Sequence, residues 1–478
     1  MKINLLRQKI LDLAIRGKLV PQDSNDEPAS VLLERIRAEK ERLIAEGKIK
    51  RPKKSKASSP ESHYQQFEIP NTWKWTTLEE LIILISGQDF PSEKYSSTPK
   101  GVPYIIGASN IQNGNVVVTR WTESPTVLSE KNDLLIVCKG AGVGKMGINQ
   151  IGTSHIARQI QALRPFSCYV SLEYIRVALM NGIEIICSQA NGLIPGLPRD
   201  LLLKFPVPLP PLAEQMKIVN RIASVLDNIN ALEMEARAAQ DYISLLKSKI
   251  LDLAMQGRLV PQDPADEPAA EMLLRINPEA RIITDNPQCQ NLPLGWSICQ
   301  LRDLCSFLSR GKSPKYSNTP NLYPVFAQKC NLKDGGISLA QARFLDETTI
   351  SKWAKKYYLK EGDVLVNSTG TGTVGRTRLF KEKYLGKFPF VVPDSHVSIV
   401  RPFDEINSTF IFYCLYCHNC QEYFADNLAG STNQKELYID VIGDRLVMLP
   451  PLNEQNRIVA KIEKLYSILD EIEASLQS

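Results

Sequence analysis

Long apolar runs are missing from this chain of 478 residues. The longest resemble Leu81–Ile85, far short of the ~20 residues a membrane-spanning helix needs. The N-terminus interleaves Lys2, Arg7, Lys9 and Asp12 with its apolar residues, whereas a secretory signal needs an unbroken apolar core. Histidine is scarce. His63, His155, His396 and His418 are the whole complement, which leaves little for acid–base work. No Ser/His/Asp grouping presents itself. Neither the N/D-P-P-Y/F sequence of adenine methyltransferases nor a P-D…(D/E)-x-K nuclease pattern occurs. The 10 cysteines are scattered and do not suggest a disulfide framework in a chain this long. Reduced thiols and a cytoplasmic location are the expectation. These absences together argue against chemistry by the chain itself.

An excess of one charge is also missing. The formal net charge is +5, and its location matters more than its size. The stretch "KIKRPKKSK", Lys48 to Lys56, carries six cations and no acid. A solvated linker and a phosphate-contacting arm both fit that composition. Apolar content of 43% and charged content of 23% are ordinary for a globular protein. The length suits two to four domains.

What the chain does have is a repeat. "LLRQKILDLAIRGKLVPQD" (Leu5 to Asp23) returns as "LLKSKILDLAMQGRLVPQD" (Leu245 to Asp263), an offset of 240 residues. Over Leu5–Ile36 and Leu245–Ile276 about 21 of 32 positions agree without a gap. "LPPLAEQMKIVNRI" (Leu209 to Ile222) matches "LPPLNEQNRIVAKI" (Leu449 to Ile462) at the same offset.

The middle of the chain reads as one long helix. Ile218, Ile222, Val225, Ile229, Leu232, Ala236, Ala239, Ile243, Leu246, Ile250 and Leu253 step 4,3,4,3, a heptad seam of the coiled-coil kind. Pro210 and Pro211 block extension on one side, and Gly257 with Pro261 supplies a stop on the other. The second copy of this helix is split between the chain ends. Ile458, Ile462, Leu465, Leu469, Ile472 and Leu476 continue the pattern at the C-terminus; Ile3, Leu6, Ile10 and Leu13 continue it at the N-terminus. The expectation is a two-unit circle cut inside one of its helices, with the chain ends meeting and the broken helix antiparallel to the continuous one.

Two stretches between the helices read as mixed α/β modules. They are distantly alike. "YSSTPKGVPYI" (Tyr95 to Ile105) parallels "YSNTPNLYPVF" (Tyr316 to Phe326), and "DLLIVCKGAGVGK" (Asp133 to Lys145) parallels "DVLVNSTGTGTVGR" (Asp363 to Arg376). The helices are nearly identical, while most of the modules' surface chemistry differs. A protein whose modules read two different things in one geometry would need that.

Two short motifs invite other readings. "GTGTVG" (Gly370 to Gly375) is a literal G-x-G-x-x-G. A dinucleotide site needs a helix after it, and the following "RTRLF" looks like a strand. A glycine-rich turn beside Arg376 and Arg378 fits better. "CLYCHNC" (Cys414 to Cys420) has metal-like spacing but lacks a second C-x-x-C. Cysteines packed on a helix face are the expected arrangement.

The "LPPLxEQxxIVxRI" segments, the half-repeats in circular order and the two divergent α/β modules together resemble the specificity subunit of type I restriction–modification enzymes. "SGQDFPSEKY…GVPYI" and "DLLI…GAGVGK" extend the likeness into the modules, so it covers essentially the whole chain. The resemblance implies an α/β architecture of two mixed α/β target recognition domains joined by two long antiparallel coiled-coil helices, a pseudo-twofold circular repeat. It implies that each domain reads one half of an asymmetric, bipartite double-stranded DNA site. The helices would set the gap and dock two methyltransferase subunits, and motor–nuclease subunits would join them. No cofactor is expected on this chain; S-adenosylmethionine, ATP and Mg belong on the partners, and no membrane is involved. The expected divisions are 1–23 (half of the split helix), 24–62 (helical and basic linker), 63–208 (first domain), 209–263 (central helix), 264–288 (linker), 289–448 (second domain) and 449–478 (the other half helix). Candidates for DNA proximity are Lys139, Lys145, Arg310, Lys312, Lys315, Arg376 and Arg378, on or beside loop-like stretches. A stand-alone DNA-binding regulator, or a nucleotide-binding enzyme built on Gly370–Gly375, are the alternatives.

Overall fold

The computed structural model describes residues 3–49, 67–140, 142–188, 196–370, 372–430 and 435–477. Most of the basic stretch, and the outermost residues where the chain ends were expected to meet, lie outside the described residues. The chain divides into two compact units, Met1–Glu235 and Ala236–Ser478. The division falls inside one helix of 44 residues, Leu212–Met255, so each unit takes half of it.

The helix ends are written locally. Pro210 and Pro211 precede the central helix. Beyond its last turn Gly257 has φ 65°, and the Arg258 N–H bonds the Leu253 carbonyl at 2.8 Å. The N-terminal helix, Ile3–Ile15, stops in the same way. Gly17 has φ 66° and the Lys18 N–H bonds the Leu13 carbonyl at 2.9 Å. Glycine enters this left-handed turn without the steric cost a Cβ would impose.

In the first unit the N-terminal helix lies antiparallel to the first half of the central helix. Arg7 reaches Asn230 at 2.7 Å and Glu233 at 2.8 Å, while Lys217 reaches Asp26 at 3.3 Å. Ile10, Ala14 and Ile15 share a core with Ile218, Ile222 and Ile229. In the second unit the C-terminal helix, Leu452–Gln477, pairs with the other half. Lys247 reaches Asp470 at 2.6 Å and Glu473 at 3.1 Å. The Tyr466 hydroxyl donates to the Lys247 carbonyl at 2.9 Å.

Burial along the predicted seam is uneven. Ile218, Ile222, Ile229, Ile243, Ile458 and Ile462 are buried, and Val225, Ile250, Leu253, Leu465 and Leu469 are partly covered. Leu232, Leu246 and Ile472 are about half exposed, at 52%, 50% and 46%. Burial is deep where the module packs as well as the partner helix: Ile218 and Ile222 join Trp73, Tyr174 and Leu209 in one cluster. Four turns on from Ile218, Leu232 lies outside that cluster among the described residues.

Each module opens and closes on a two-stranded antiparallel ladder. Lys74–Thr77 pairs with Pro206–Leu209, and Ser297–Gln300 pairs with Leu446–Leu449. Above that ladder the first module has a six-stranded sheet in the order Ile82–Ser86, Ile160–Pro165, Leu134–Val137, Met146–Ile148, Asn115–Val116, Ile111–Gln112. A four-stranded sheet lies beside it. The second module keeps the first four of those strands as Cys305–Arg310, Val397–Pro402, Val364–Asn367, Thr377–Leu379, beside a three-stranded sheet. Its counterpart to the last two is the loop after Gln328–Cys330, without named strands. Buried residues run unbroken through Leu134–Val137 and Val364–Asn367, as strands covered on both faces require. The helix expected over the cysteine motif is two, Ser408–Tyr416 and His418–Asp426, broken at Cys417 where ψ is 153°.

Candidate nucleic-acid interface

The recurring "LPPLxEQ" segment is the joint on which each module sits. Glu214 accepts the Trp73 indole N–H at 2.8 Å and the Gln22 amide at 2.5 Å. Glu454 accepts the Trp296 indole at 3.0 Å and the Gln262 amide at 2.9 Å. Both carboxylates are buried, and burial raises each above the ordinary carboxylate range while its two donors pull the other way. The next residue grips the module. Gln215 accepts from the Ser171 N–H at 2.9 Å and donates to the Pro210 carbonyl at 3.1 Å; Gln455 does the same with Asn407 and Pro450, both at 2.9 Å. Each joint therefore ties both ends of a module to the start of a long helix.

Far along the sheet from that joint, each module carries a glycine-rich hairpin. Leu134–Val137 and Met146–Ile148 pair antiparallel around Gly140–Gly144, as do Val364–Asn367 and Thr377–Leu379 around Gly370–Gly375. Gly140, Gly144, Gly370, Gly372 and Gly375 all have positive φ. A strand, not a helix, follows the second turn. A dinucleotide fingerprint depends on a helix at that place.

Other polar residues converge on the same edge. In the first module Lys139 and Lys145 are exposed on the hairpin. The loop Ala157–Gln159 lies beside it: the Cys138 N–H bonds the Gln159 carbonyl at 2.7 Å. Arg158 pairs with Asp89 at 3.2 Å with its side chain 69% exposed. In the second module the Thr369 hydroxyl lies 2.7 Å from His396 Nδ1, and the Thr373 hydroxyl donates to Gln328 Oε1 at 3.3 Å. Ser313 bonds Ser395 at 3.3 Å. Arg158, Gln159, Gln328, Thr369 and His396 were not among the sequence candidates. Counting back from "ALRP" and "IVRP", the shared ends of the Ile160–Pro165 and Val397–Pro402 strands, would have placed Gln159 and His396 at matching positions.

The structure treats the sequence candidates differently from one another. Lys312 is exposed and stands 4.6 Å from the Tyr357 ring. Lys315 is exposed but paired with Asp346 at 2.6 Å. Arg310 is held by Glu436 and by the Ser395 carbonyl, the latter at 2.9 Å. Arg376 donates to the Asn331 carbonyl at 2.8 Å. Arg378 is buried. It donates to the carbonyls of Thr377 at 2.7 Å, Leu332 at 2.6 Å and Lys333 at 3.3 Å. Burial lowers its pKa from the ordinary arginine value. These three guanidinium groups organise backbone, and Lys139, Lys145 and Lys312 are the candidates left facing solvent without an ion pair among the described residues.

One cationic row escaped the sequence reading. Lys352, Lys355, Lys356 and Lys360 are exposed on turns beside Lys312, since Lys312 and Lys356 reach the neighbouring rings of Tyr357 and Phe307. The counterpart in the first module, Glu123–Asn132, is shorter and holds two glutamates and a single lysine. Cys417 and Cys420 are buried. Burial pushes the Cys420 thiol up to about 12, so it is not a thiolate at neutral pH.

Each unit thus pairs a helix with half of the central helix and carries an α/β module with a polar, partly basic hairpin edge, the class of a helix-linked protein with two α/β modules. The chain belongs to the type I restriction modification DNA specificity domain family, whose model matches residues 70–239 and 293–478. It is 26% identical to the type I restriction enzyme EcoEI specificity subunit of Escherichia coli, over an alignment spanning 100% of this chain and 91% of that one. It is 26% identical to the EcoAI specificity subunit of Escherichia coli, with 97% and 89% covered. The fold is similar to that of the HsdS subunit from Thermoanaerobacter tengcongensis, with TM-score 0.53 and 18% identity over 86% of this chain and 95% of that one. A chain from a structure describing complex assembly and conformational transition of the type I R-M system gives TM-score 0.56 at 19% identity, over 86% and 96%.

Proposed function

We propose that this chain is the DNA-recognition subunit of a type I restriction–modification complex, without catalysis of its own. Each module reads one half of an asymmetric, bipartite double-stranded DNA site. The observation that carries this reading is the contrast within the molecule: two nearly identical joints, each holding a module whose hairpin edge is chemically different. Side chains at that edge supply base contacts, and lysines beside it contact phosphate and set register. Lys139, Lys145, Arg158 and Gln159 serve the first half-site; Lys312, Gln328, Thr369 and His396 serve the second. Lys315, Arg310, Arg376 and Arg378 shape that surface.

The paired helices act as a ruler between the half-sites, since a rigid frame converts module separation into base-pair spacing. The same helices dock two methyltransferase subunits, and motor–nuclease subunits join them. S-adenosylmethionine, ATP and Mg work on those partners, in the cytoplasm. The test is methylation sequencing of genomic DNA from cells with and without this gene, its neighbours intact. An asymmetric two-part adenine motif should lose methylation in the deletion. A methylome unchanged while the partner methyltransferase is expressed would overturn the reading.

A further inference from the structure

The two modules hold the same loop by different means. In the first module the chain after Ala108–Asn110 folds into the strands Ile111–Gln112 and Asn115–Val116, and the latter pairs with Met146–Ile148. The pairing depends on Gly147: a Cβ there would lie 3.1 Å from the Gly114 carbonyl oxygen, tighter than ordinary contact. The Ile148 N–H bonds that carbonyl at 3.3 Å. In the second module the residue matching Gly147 is Arg378, and the loop after Gln328–Cys330 does not pair with the strand carrying it.

Instead the Arg378 side chain reaches under the loop and donates to Leu332 and Lys333 carbonyls, while Arg376 donates to Asn331. Among the described residues neither guanidinium has a carboxylate partner, and Arg378 Nε is buried without a hydrogen bond. A buried cation without a counter-charge is costly. Its positive field is directed at the loop and at whatever lies over it. The loop itself exposes Lys329 and Lys333, and Gln328 ties it to the glycine hairpin through Thr373.

We infer that the loop 328–336 is a DNA-contacting element of the second module, and that Arg378 is its positioning residue. This rests on the DNA-recognition reading above. Lys329 and Lys333 meet phosphate, and the two guanidinium groups beneath hold the loop at the height that strand pairing gives the first module.

The test uses the full chain co-expressed with its methyltransferase, and duplexes carrying the motif found in the wild-type methylome. Binding is measured on that motif and on duplexes altered in each half in turn. Arg378→Met should weaken binding to the intact motif about tenfold or more, because the loop spends less time in its binding-competent position. It should also blunt discrimination in one half while leaving the other as sharp as wild type, and Arg378→Lys should recover part of the loss. Salt dependence separates positioning from contact. Lys329→Ala with Lys333→Ala should reduce the salt slope by about two, whereas Arg378→Met should leave the slope of its residual binding unchanged. Unaltered discrimination in both halves, or an unaltered slope in the double lysine variant, would overturn the inference. A salt slope lowered in Arg378→Met would make Arg378 a direct contact and overturn its positioning role. If the wild type itself yields no bipartite motif, the broader reading fails first, and the two failures are distinguishable.

Discussion

The modules differ most in how they handle charge. Both place a buried aspartate at the start of their central strand, bonded to an arginine on the neighbouring strand. In the first, Asp133 meets Arg164 at 2.8 Å with that arginine 25% exposed and shared with Glu130. In the second, Asp363 and Arg401 make two bonds, at 2.6 and 2.7 Å, with the side chains 0% and 10% exposed. The second module also buries Arg378 where the first has Gly147, and exposes the lysine row from Lys352 to Lys360 where the shorter stretch of the first has two glutamates and one lysine. Where the frame is shared, at the Trp–Glu–Gln joints, the two modules coincide. Divergence reaches the buried charges, the outermost strands and the surface cations, while the joints and the first four strands of the larger sheet are kept.

The largest test of that comparison is at the joints. Trp73→Ala and Trp296→Ala each remove a buried ring and leave a buried carboxylate short of a donor. Each should destabilise by about 3–5 kcal/mol, seen in denaturant unfolding, and by similar amounts if the joints are equivalent. The aspartates should separate the modules. Asp363→Asn leaves Arg401 buried without its counter-charge and should cost about 3–5 kcal/mol. Asp133→Asn, whose arginine keeps water and Glu130, should cost about 1–2 kcal/mol. Equal losses would show that exposure does not distinguish the two pairs.

Smaller effects concern the surface. Exchanging Lys352, Lys355, Lys356 and Lys360 for Gln should lower the salt slope of DNA binding by about one for each phosphate no longer neutralised, with the recognised bases unchanged. The smallest effect is a pH dependence belonging to the first module. His155 stacks on Phe90 at 4.1 Å, its Nε2 bonds the Gln88 carbonyl at 2.8 Å, and its Nδ1 accepts from Val127 at 3.2 Å. Burial lowers its pKa below the ordinary 6.5, against the weaker upward pull of the Gln88 carbonyl and Asp89. The unfolded chain therefore takes up a proton first as pH falls. The stability contributed by neutral His155 is complete above about 6.5 and declines below it toward the folded pKa. Thermal melting from pH 7.5 to 5.5 should fall more steeply for the wild type than for His155→Gln. Val392 occupies the matching position in the second module, so an equal slope in both proteins would remove His155 as the cause.

Much of the frame was legible in the linear chain because its signals are local. Tandem prolines start the central helix, a glycine with positive φ ends it, and the strand after "GTGTVG" shows in "RTRLF". The 240-residue repeat announces two like units. Seam burial was only partly legible, because heptad spacing specifies a face and not what covers it: Ile218 shares a core with the N-terminal helix and the module, and Leu232 is half exposed.

The recognition edge was the least legible part. An exposed lysine and a buried arginine look alike in a loop-like stretch, and Arg378 acts on carbonyls 45 and 46 residues away. The Trp73–Glu214 bond spans 141 residues and the Gln22–Glu214 bond spans 192, so no window of sequence contains them. The sequence by itself determined the repeat, the helix limits and the family, since these depend on composition and short-range backbone preference. The tertiary structure alone decided which cations face solvent and which support the backbone beneath it. That choice depends on the partners folding brings within 3 Å, and on the desolvation that makes a buried charge bond whatever acceptor it meets.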